Sequence, residues 1–286
     1  WYNETANTLK FQYEITAGVW STGGNMNTAR QYLAGNGTQT SALAYGGEST
    51  PSPSTALTES YNGTSWTEVA DLNTAREKLA GAGVDNTSAL AFGGYPAVAV
   101  TESWNGTSWT EVNDLNTARG VFAGNGTQTS ALAYGGYPAS ALTESWNGTS
   151  WTEVADLGTA RYDLGGIGAD NTSALAFGGG PTTANTETWN GSSWTEVNNL
   201  NTARSELSGA GVQTSALAFG GTPVTGLTES WNGTNWTETS DLNTGRQGLA
   251  GAGTSTSALA FGGGPTNTTA TEEWNGGLPV GAWSTG

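Results

Sequence analysis

The sequence predicts an all-β protein built from six similar four-stranded units. Three observations support this: a repeat in the low forties, Asn-Gly pairs between alternating segments, and no helical periodicity. The repeat is clearest in 101–119 (TESWNGTSWTEVNDLNTAR), 143–161 (TESWNGTSWTEVADLGTAR) and 186–204 (TETWNGSSWTEVNNLNTAR). A period of this length indicates a repeat architecture, in which no unit could bury its apolar face alone. One arginine recurs in each copy, at intervals of 46, 43, 42, 43 and 42 residues: Arg30, Arg76, Arg119, Arg161, Arg204 and Arg246.

Residues 76–112 show the strands of one unit. The segment REKLAGAG, which begins at Arg76, is rich in small residues and suits a crowded position. TSALAFGG (87–94) reads as a buried strand that ends in a Gly pair. VTESW (100–104) and SWTEV (108–112) alternate apolar and polar residues, and the Asn105-Gly106 pair between them is a strong hairpin signal. Each unit is therefore predicted to contain four short strands joined by turns.

Four strands with small residues first and tryptophan last are the layout of a β-propeller blade. Strands near the axis must be narrow, whereas outer strands need bulk between neighbouring blades. A right-handed solenoid of strands is the rival fold, but it would use shorter coils and lack the Asn-Gly hairpins. The sequence thus predicts a six-bladed β-propeller. The tryptophans expected between blades are Trp66, Trp109, Trp151, Trp194 and Trp236.

A Gly pair follows the second predicted strand in every copy. With the outer tryptophans downstream, these pairs resemble the kelch repeat over nearly the whole chain, although the period is slightly short for kelch. The resemblance implies kelch-like blades. The pairs are Gly46-Gly47, Gly93-Gly94, Gly135-Gly136, Gly178-Gly179, Gly220-Gly221 and Gly262-Gly263.

Closure of the ring has two candidates, because 9–23 and 271–286 both look like outer strand pairs and share the letters WSTG. In the simplest arrangement, residues 24–286 form the propeller and the C-terminal hairpin closes it. Residues 1–23 then form an N-terminal β-hairpin, which supplies closing strands or links to an upstream domain. The remaining alternative is that the sequence is a fragment of a longer array of repeats.

Composition excludes several classes of function. With 24 acidic and 8 basic residues the net charge is −16, which opposes binding to nucleic acid or to an anionic membrane surface. No apolar run approaches the roughly 18 residues of a spanning helix, so no membrane insertion is expected. The absence of Cys and His excludes disulfides, zinc sites that use these ligands and Ser-His catalysis. We expect no cofactor and no metal, since no loop shows acids at calcium-ligand spacing.

The six arginines have two interpretations. A ring of guanidinium groups around the channel mouth would bind carboxylate or phosphate. Acids recur with the same period, however, so the favoured interpretation is a structural arginine ring that braces neighbouring blades. The predicted six-bladed propeller with several arginines resembles the sialidases, enzymes whose active site combines three arginines with a tyrosine nucleophile. Here the arginines are symmetric, and Asn105, Asn147 and Asn232 replace the aspartate of the sialidase hairpin, so we expect no enzyme.

Candidate binding residues come from the places where the copies differ. The two residues after each arginine vary, as do the loops after the Gly pairs, and both sets should face the channel mouth. Variation on a constant scaffold suits a binding surface, although neutral drift of exposed loops explains it equally well. The ligand-binding candidates are Tyr32, Lys78, Tyr95, Tyr137, Tyr162, Asp163 and Gln247.

The N-terminal segment WYNETANTLKFQYE resembles segments of bacteriophage tail fibres, and the Trp-Asn-Gly-Thr-Ser-Trp arrays resemble viral and environmental bacterial sequences. This resemblance implies a non-enzymatic attachment module on a virion or cell surface. Its expected partners are a host-surface glycan or protein, or other virion subunits. A structural module between subunits of a fibre or capsid is the alternative, and a glycan hydrolase is a third possibility.

Overall fold

The described residues form six four-stranded antiparallel sheets in a ring, which confirms the predicted six-bladed β-propeller. The computed structural model describes Tyr2–Asn3, Thr8–Leu9, residues 18–50 and residues 54–276. Tyr2–Asn3 and Thr8–Leu9 pair with each other outside the six sheets. The described residues include no helix long and apolar enough to cross a membrane.

The first two strands of each blade lie nearest the axis. The first strands of blades 1 to 6 are Ala34–Thr38, Ala80–Asp85, Ala123–Thr127, Gly165–Asp170, Ser208–Val212 and Ala250–Thr254. The second strands are Ser41–Tyr45, Ser88–Phe92, Ser130–Tyr134, Ser173–Phe177, Ser215–Phe219 and Ser257–Phe261.

The outer two strands follow the Gly-pair loops. The third strands are Thr58–Tyr61, Thr101–Trp104, Thr143–Trp146, Thr186–Trp189, Thr228–Trp231 and Thr271–Asn275. The fourth strands are Trp66–Glu68, Trp109–Val112, Trp151–Val154, Trp194–Val197, Trp236–Glu238 and, for blade 6, Val19–Thr22. In blades 1 to 5 the predicted Asn-Gly hairpins join third to fourth strands; in blade 2, Gly106 has φ 89° and Asn105 Oδ1 accepts from Thr107 N–H at 2.9 Å.

Neighbouring blades pack through a repeated aromatic contact. Tyr45 of blade 1 lies against Gly81 in the first strand of blade 2, where an added Cβ would come within 1.8 Å of the Tyr45 hydroxyl. The same ring meets Trp109 in the fourth strand of blade 2, with ring centroids 5.0 Å apart. Small inner residues and a bulky outer residue therefore enclose one aromatic ring of the preceding blade, which explains the gradient of residue size along each repeat.

Blade 6 takes its fourth strand from the N-terminal candidate for closure. Val19–Thr22 pairs antiparallel with the third strand, with Trp20 opposite Trp274. Trp20 packs on Phe219 of blade 5 at 5.1 Å, as the other outer tryptophans pack on their preceding blades. This differs from the arrangement that the sequence favoured, in which the C-terminal hairpin closes a propeller of residues 24–286. The second WSTG copy, at 283–286, lies outside the described residues.

Candidate functional site on the loop face

Every recurring arginine is buried and forms an ion pair with a glutamate in the third strand of its own blade. The N···O distances run from 2.6 to 3.1 Å. Burial lowers the pKa of each guanidinium, and the paired glutamate partly offsets that effect. The pairs are Arg30–Glu59, Arg76–Glu102, Arg119–Glu144, Arg161–Glu187, Arg204–Glu229 and Arg246–Glu272.

The arginine backbone joins each blade to the preceding one. Arg204 N–H donates to Thr183 of blade 4, and its carbonyl accepts from the N–H of Gly179 in the Gly pair of that blade. Its guanidinium donates instead to Gly220 and Leu227 carbonyls of blade 5. One residue therefore links two blades, while its charge is neutralised within one of them. The arginines do not form an anion site around the channel.

The channel mouth is formed by the second residue after each arginine. All six residues have left-handed φ values, between 49° and 64°. Each N–H donates to the carbonyl of its counterpart in the neighbouring blade, at 2.7 to 3.0 Å, and the bond from Tyr32 N–H to the Gly248 carbonyl completes the circle. We call this set the mouth ring: Tyr32, Lys78, Val121, Asp163, Glu206 and Gly248.

Backbone strain in the mouth ring is greatest at its one β-branched residue. A β-branched residue with positive φ costs on the order of 1–3 kcal/mol, and Val121 has φ 64°. Such strain concentrates at functional sites, because the surrounding structure must maintain it. Val121 also lines the surface cavity of the loop face described below.

The mouth ring is asymmetric in its side-chain contacts. Lys78 Nζ lies 4.3 Å from the centroid of the Tyr32 ring. The Tyr32 hydroxyl donates to Glu206 Oε2 at 3.3 Å, and its burial and nearby Glu206 raise the pKa of Tyr32 to about 12. Gln247 lies on this side, where Thr222 Oγ1 is 3.0 Å from Gln247 Oε1. Tyr32 therefore makes a polar contact across the mouth, and Gln247 makes one between the adjacent blades 5 and 6.

Three tyrosines on three adjacent blades surround a cavity of about 250 Å³, here called the tyrosine pocket. Tyr95 belongs to blade 2, Tyr137 to blade 3 and Tyr162 to blade 4. Tyr95 and Tyr137 are 51% and 58% exposed, and Tyr137 meets Tyr162 edge-on at 5.3 Å. Glu77, Lys78, Val121 and Asp163 complete the wall.

The position of each pocket residue follows from the repeat. Tyr95 N–H donates to the Glu77 carbonyl, and Tyr137 N–H donates to the Gly120 carbonyl, so each loop residue lies beside the residue that follows an arginine. The counterparts of Tyr95 and Tyr137 in blades 1, 4, 5 and 6 are Glu48, Gly180, Thr222 and Gly264. The aromatic character is thus confined to one side of the loop face.

Two carboxyl groups in the pocket lie in environments that disfavour their charge. Burial, together with Glu206 and against the opposing effect of Lys78, raises the pKa of Asp163 to about 6. Burial and the nearby Glu48 also raise the pKa of Glu77. Glu77 Oε2 is buried without a hydrogen-bond partner, and the Asp163 side chain lines the same cavity. Both groups are acceptors available to a ligand.

Five of the seven predicted ligand residues meet in the tyrosine pocket: Lys78, Tyr95, Tyr137, Tyr162 and Asp163. Tyr32 and Gln247 lie on the other side of the mouth. Sequence reasoning missed Glu77 and Val121 as pocket residues, although both occur in the variable pairs after Arg76 and Arg119. Their position in those pairs is the signal that could have found them.

Fold and site together define a six-bladed β-propeller with an aromatic and acidic pocket on its loop face. No group of three or more acidic side chains within the described residues is placed to hold a metal ion. Neither a protein-family model nor a curated protein sequence matches the chain.

Proposed function

We propose that this propeller is a non-enzymatic binding module that recognises a carbohydrate through the tyrosine pocket. The observation that carries the proposal is the break in symmetry: three adjacent blades present tyrosines around one cavity, while the corresponding positions elsewhere carry small or polar residues. A scaffold that repeats six times has no structural need for tyrosine at three of those positions.

The chemistry of the wall suits a sugar. Exposed tyrosine rings offer flat apolar faces and a hydroxyl group, a combination that binds ligands with one apolar and one hydrated side. Glu77, whose Oε2 has no partner inside the protein, and Asp163 supply carboxyl oxygens that would accept hydrogen bonds from sugar hydroxyl groups. A few placed polar groups among aromatic side chains are typical of small-ligand sites.

Binding is favoured over hydrolysis because of the arginines. A sialidase-like reaction needs unpaired arginines around a substrate carboxylate, and here all six guanidinium groups are buried in ion pairs. A second hydrolytic mechanism does not need arginines, because glycosidases use a pair of carboxyl groups and the pocket contains two. Release of reducing ends from a bound oligosaccharide would replace binding by hydrolysis as the function.

The proposed setting is a virion tail or a cell surface, with kelch-like blades as the scaffold. It is supported by the resemblance of the N-terminal segment to tail-fibre sequences. The alternative function is assembly, in which the exposed Tyr95 and Tyr137 would contact another subunit of a fibre or capsid. Aromatic residues are enriched in such interfaces as well.

A glycan array tests the proposal, with oligosaccharides from bacterial envelopes and matched Tyr137→Ala and Thr222→Ala variants. Thr222 occupies the place of Tyr137 in blade 5, so it controls for a change at the same structural position. We expect wild type and Thr222→Ala to bind a common set of glycans that Tyr137→Ala does not bind. A failure of all three to bind any glycan would reject carbohydrate recognition. If Tyr137→Ala instead altered the sedimentation of an assembly, the pocket would be a subunit interface.

A further inference from the structure

The tyrosine pocket has an excess of negative charge that the protein does not neutralise. Six of the eight basic residues are the paired arginines, and Lys10 lies outside the described residues. Lys78 is therefore the single basic side chain available to Glu77, Asp163 and Glu206 within the described residues. No other arginine or lysine in the described part of the chain lies in this wall.

Lys78 is already engaged on the other side of the mouth ring. Its ammonium group lies over the ring of Tyr32, whose hydroxyl donates to Glu206. Lys78 is thus shared between the Tyr32 ring and the two pocket carboxyls, on whose pKa values it also acts, and Glu77 Oε2 still has no hydrogen-bond donor. A partly buried carboxylate without a donor is costly, so a ligand that supplied positive charge would gain most from this site.

The tyrosine rings beside the carboxyl groups provide a second attraction for a cation. The faces of aromatic rings attract organic cations, and rings grouped around an ammonium are a recurrent means of recognising it. Tyr95, Tyr137 and Tyr162 line the same cavity as the two carboxyls. A neutral sugar would use the ring faces and neutral hydrogen bonds from its hydroxyl groups, whereas an acidic sugar would be repelled.

We infer that the tyrosine pocket selects sugars that carry a free, protonated amino group, placed between the tyrosine rings and the carboxylates of Glu77 and Asp163. This inference rests on the proposed carbohydrate-binding function and names its ligand class. No bond is formed or broken, and the amino group remains protonated in the complex.

Oligomers of glucosamine and their fully N-acetylated counterparts provide a matched test, because they share one sugar chain and differ only at the nitrogen, which is a protonatable amine in the first and a neutral acetamide in the second. Calorimetric titration at about pH 7 should give a dissociation constant at least about tenfold lower for the free amine, the scale of one charged hydrogen bond. Asp163→Asn should remove this preference. Glu111→Gln, which removes an exposed charge on an outer strand, should retain it.

Three other results have distinct meanings. Equal binding of both oligomers that is lost in Tyr137→Ala would overturn the amine inference and leave carbohydrate binding intact. Binding of other array glycans, but of neither oligomer, would overturn the amine inference in the same way. Absence of any glycan binding would reject the proposed function and this inference with it.

The affinity for the free-amine oligomer should also decline as the pH falls below about 6, where Asp163 gains a proton beside Lys78, Glu206 and Tyr32.

Discussion

Trp20 Nε1 donates a hydrogen bond to Thr228 Oγ1 at 3.1 Å, from the fourth strand of blade 6 to the third strand of blade 5. The five other outer tryptophans make the same bond to the threonine that begins the third strand of the preceding blade, at 3.0 to 3.1 Å. Trp20 is also as buried as four of them, at 5% exposure. A residue near the start of the chain therefore completes the last blade.

Trp20→Ala should cost about 3–5 kcal/mol of unfolding free energy, because it removes a buried ring and leaves a cavity between blades. Trp151→Ala should cost the same, since it occupies the equivalent place in blade 3. Chemical denaturation measures both, with the exposed Val19→Ala as the control. A loss below about 1 kcal/mol at Trp20, with a large loss at Trp283→Ala, would mean that the other WSTG copy closes the ring.

Glu229→Gln should destabilise the protein by about 3–5 kcal/mol, because it leaves the buried guanidinium of Arg204 without its counter-charge. The carboxylate also accepts hydrogen bonds from the backbone N–H groups of Asn201 and Thr202. The matched control is Glu238→Gln, an exposed acid in the same blade, which should change stability by less than about 0.5 kcal/mol. Equal effects of the two changes in a denaturation experiment would contradict the structural role of the pair.

Gly158→Asn should stabilise blade 4 by about 0.5–2 kcal/mol. In blade 5 the equivalent Asn201 donates through Nδ2 to Glu229 and to the Trp236 carbonyl. Gly158 lacks this side chain, and Trp194 is more exposed than its counterparts. Gly158→Ala is the control, because it restricts the unfolded chain equally without adding hydrogen bonds. If Ala stabilised as much as Asn, the hydrogen bonds would contribute nothing.

Asp163→Asn should increase stability above about pH 6. The folded-state pKa is raised from 3.8 to about 6, so the stabilising contribution of this carboxyl is complete below the unfolded pKa and is lost as the pH rises through 6. Asparagine has no carboxyl group that titrates, so the variant does not lose stability as the pH rises through 6. Its advantage should reach at most about 3 kcal/mol near neutral pH, less any solvent screening, and vanish in acid. Denaturant midpoints at several pH values measure it, and an advantage that is independent of pH would contradict the pKa assignment.

The sequence predicts the scaffold well because its signals are local. Asn105-Gly106 marks a hairpin whatever surrounds it, and the small residues of Ala80–Asp85 suit only the crowded axis. Closure of the ring is a contact between segments that are distant in the sequence. Because WSTG occurs twice, the sequence did not decide which copy closes the ring. The left-handed φ of Lys78 or Val121 has no local signal either, since among the mouth ring only Gly248 and, less strongly, Asp163 are residue types that favour it.

The candidate site was predictable where the copies differ from one another. Tyr137 and Tyr162 stand out because, apart from Tyr95 in blade 2, the equivalent positions in other copies are small, polar or charged. Tyr32 is just as variable, but its hydroxyl reaches Glu206 across the mouth. Whether a variable residue faces the tyrosine pocket or the opposite side of the mouth ring depends on the three-dimensional arrangement of the blades. Comparison of the repeats in the sequence does not contain that information.

Protection of Tyr95 and Tyr137 from oxidative labelling tests the central claim most directly. Both residues are more than half exposed in the free protein, so they should react readily in the absence of a ligand. With a saturating oligosaccharide from the array, their labelling should fall several-fold, while labelling of Trp194 on an outer strand should stay constant. Unchanged labelling of both tyrosines in the saturated complex would show that the ligand binds elsewhere and would contradict the tyrosine pocket as the binding site.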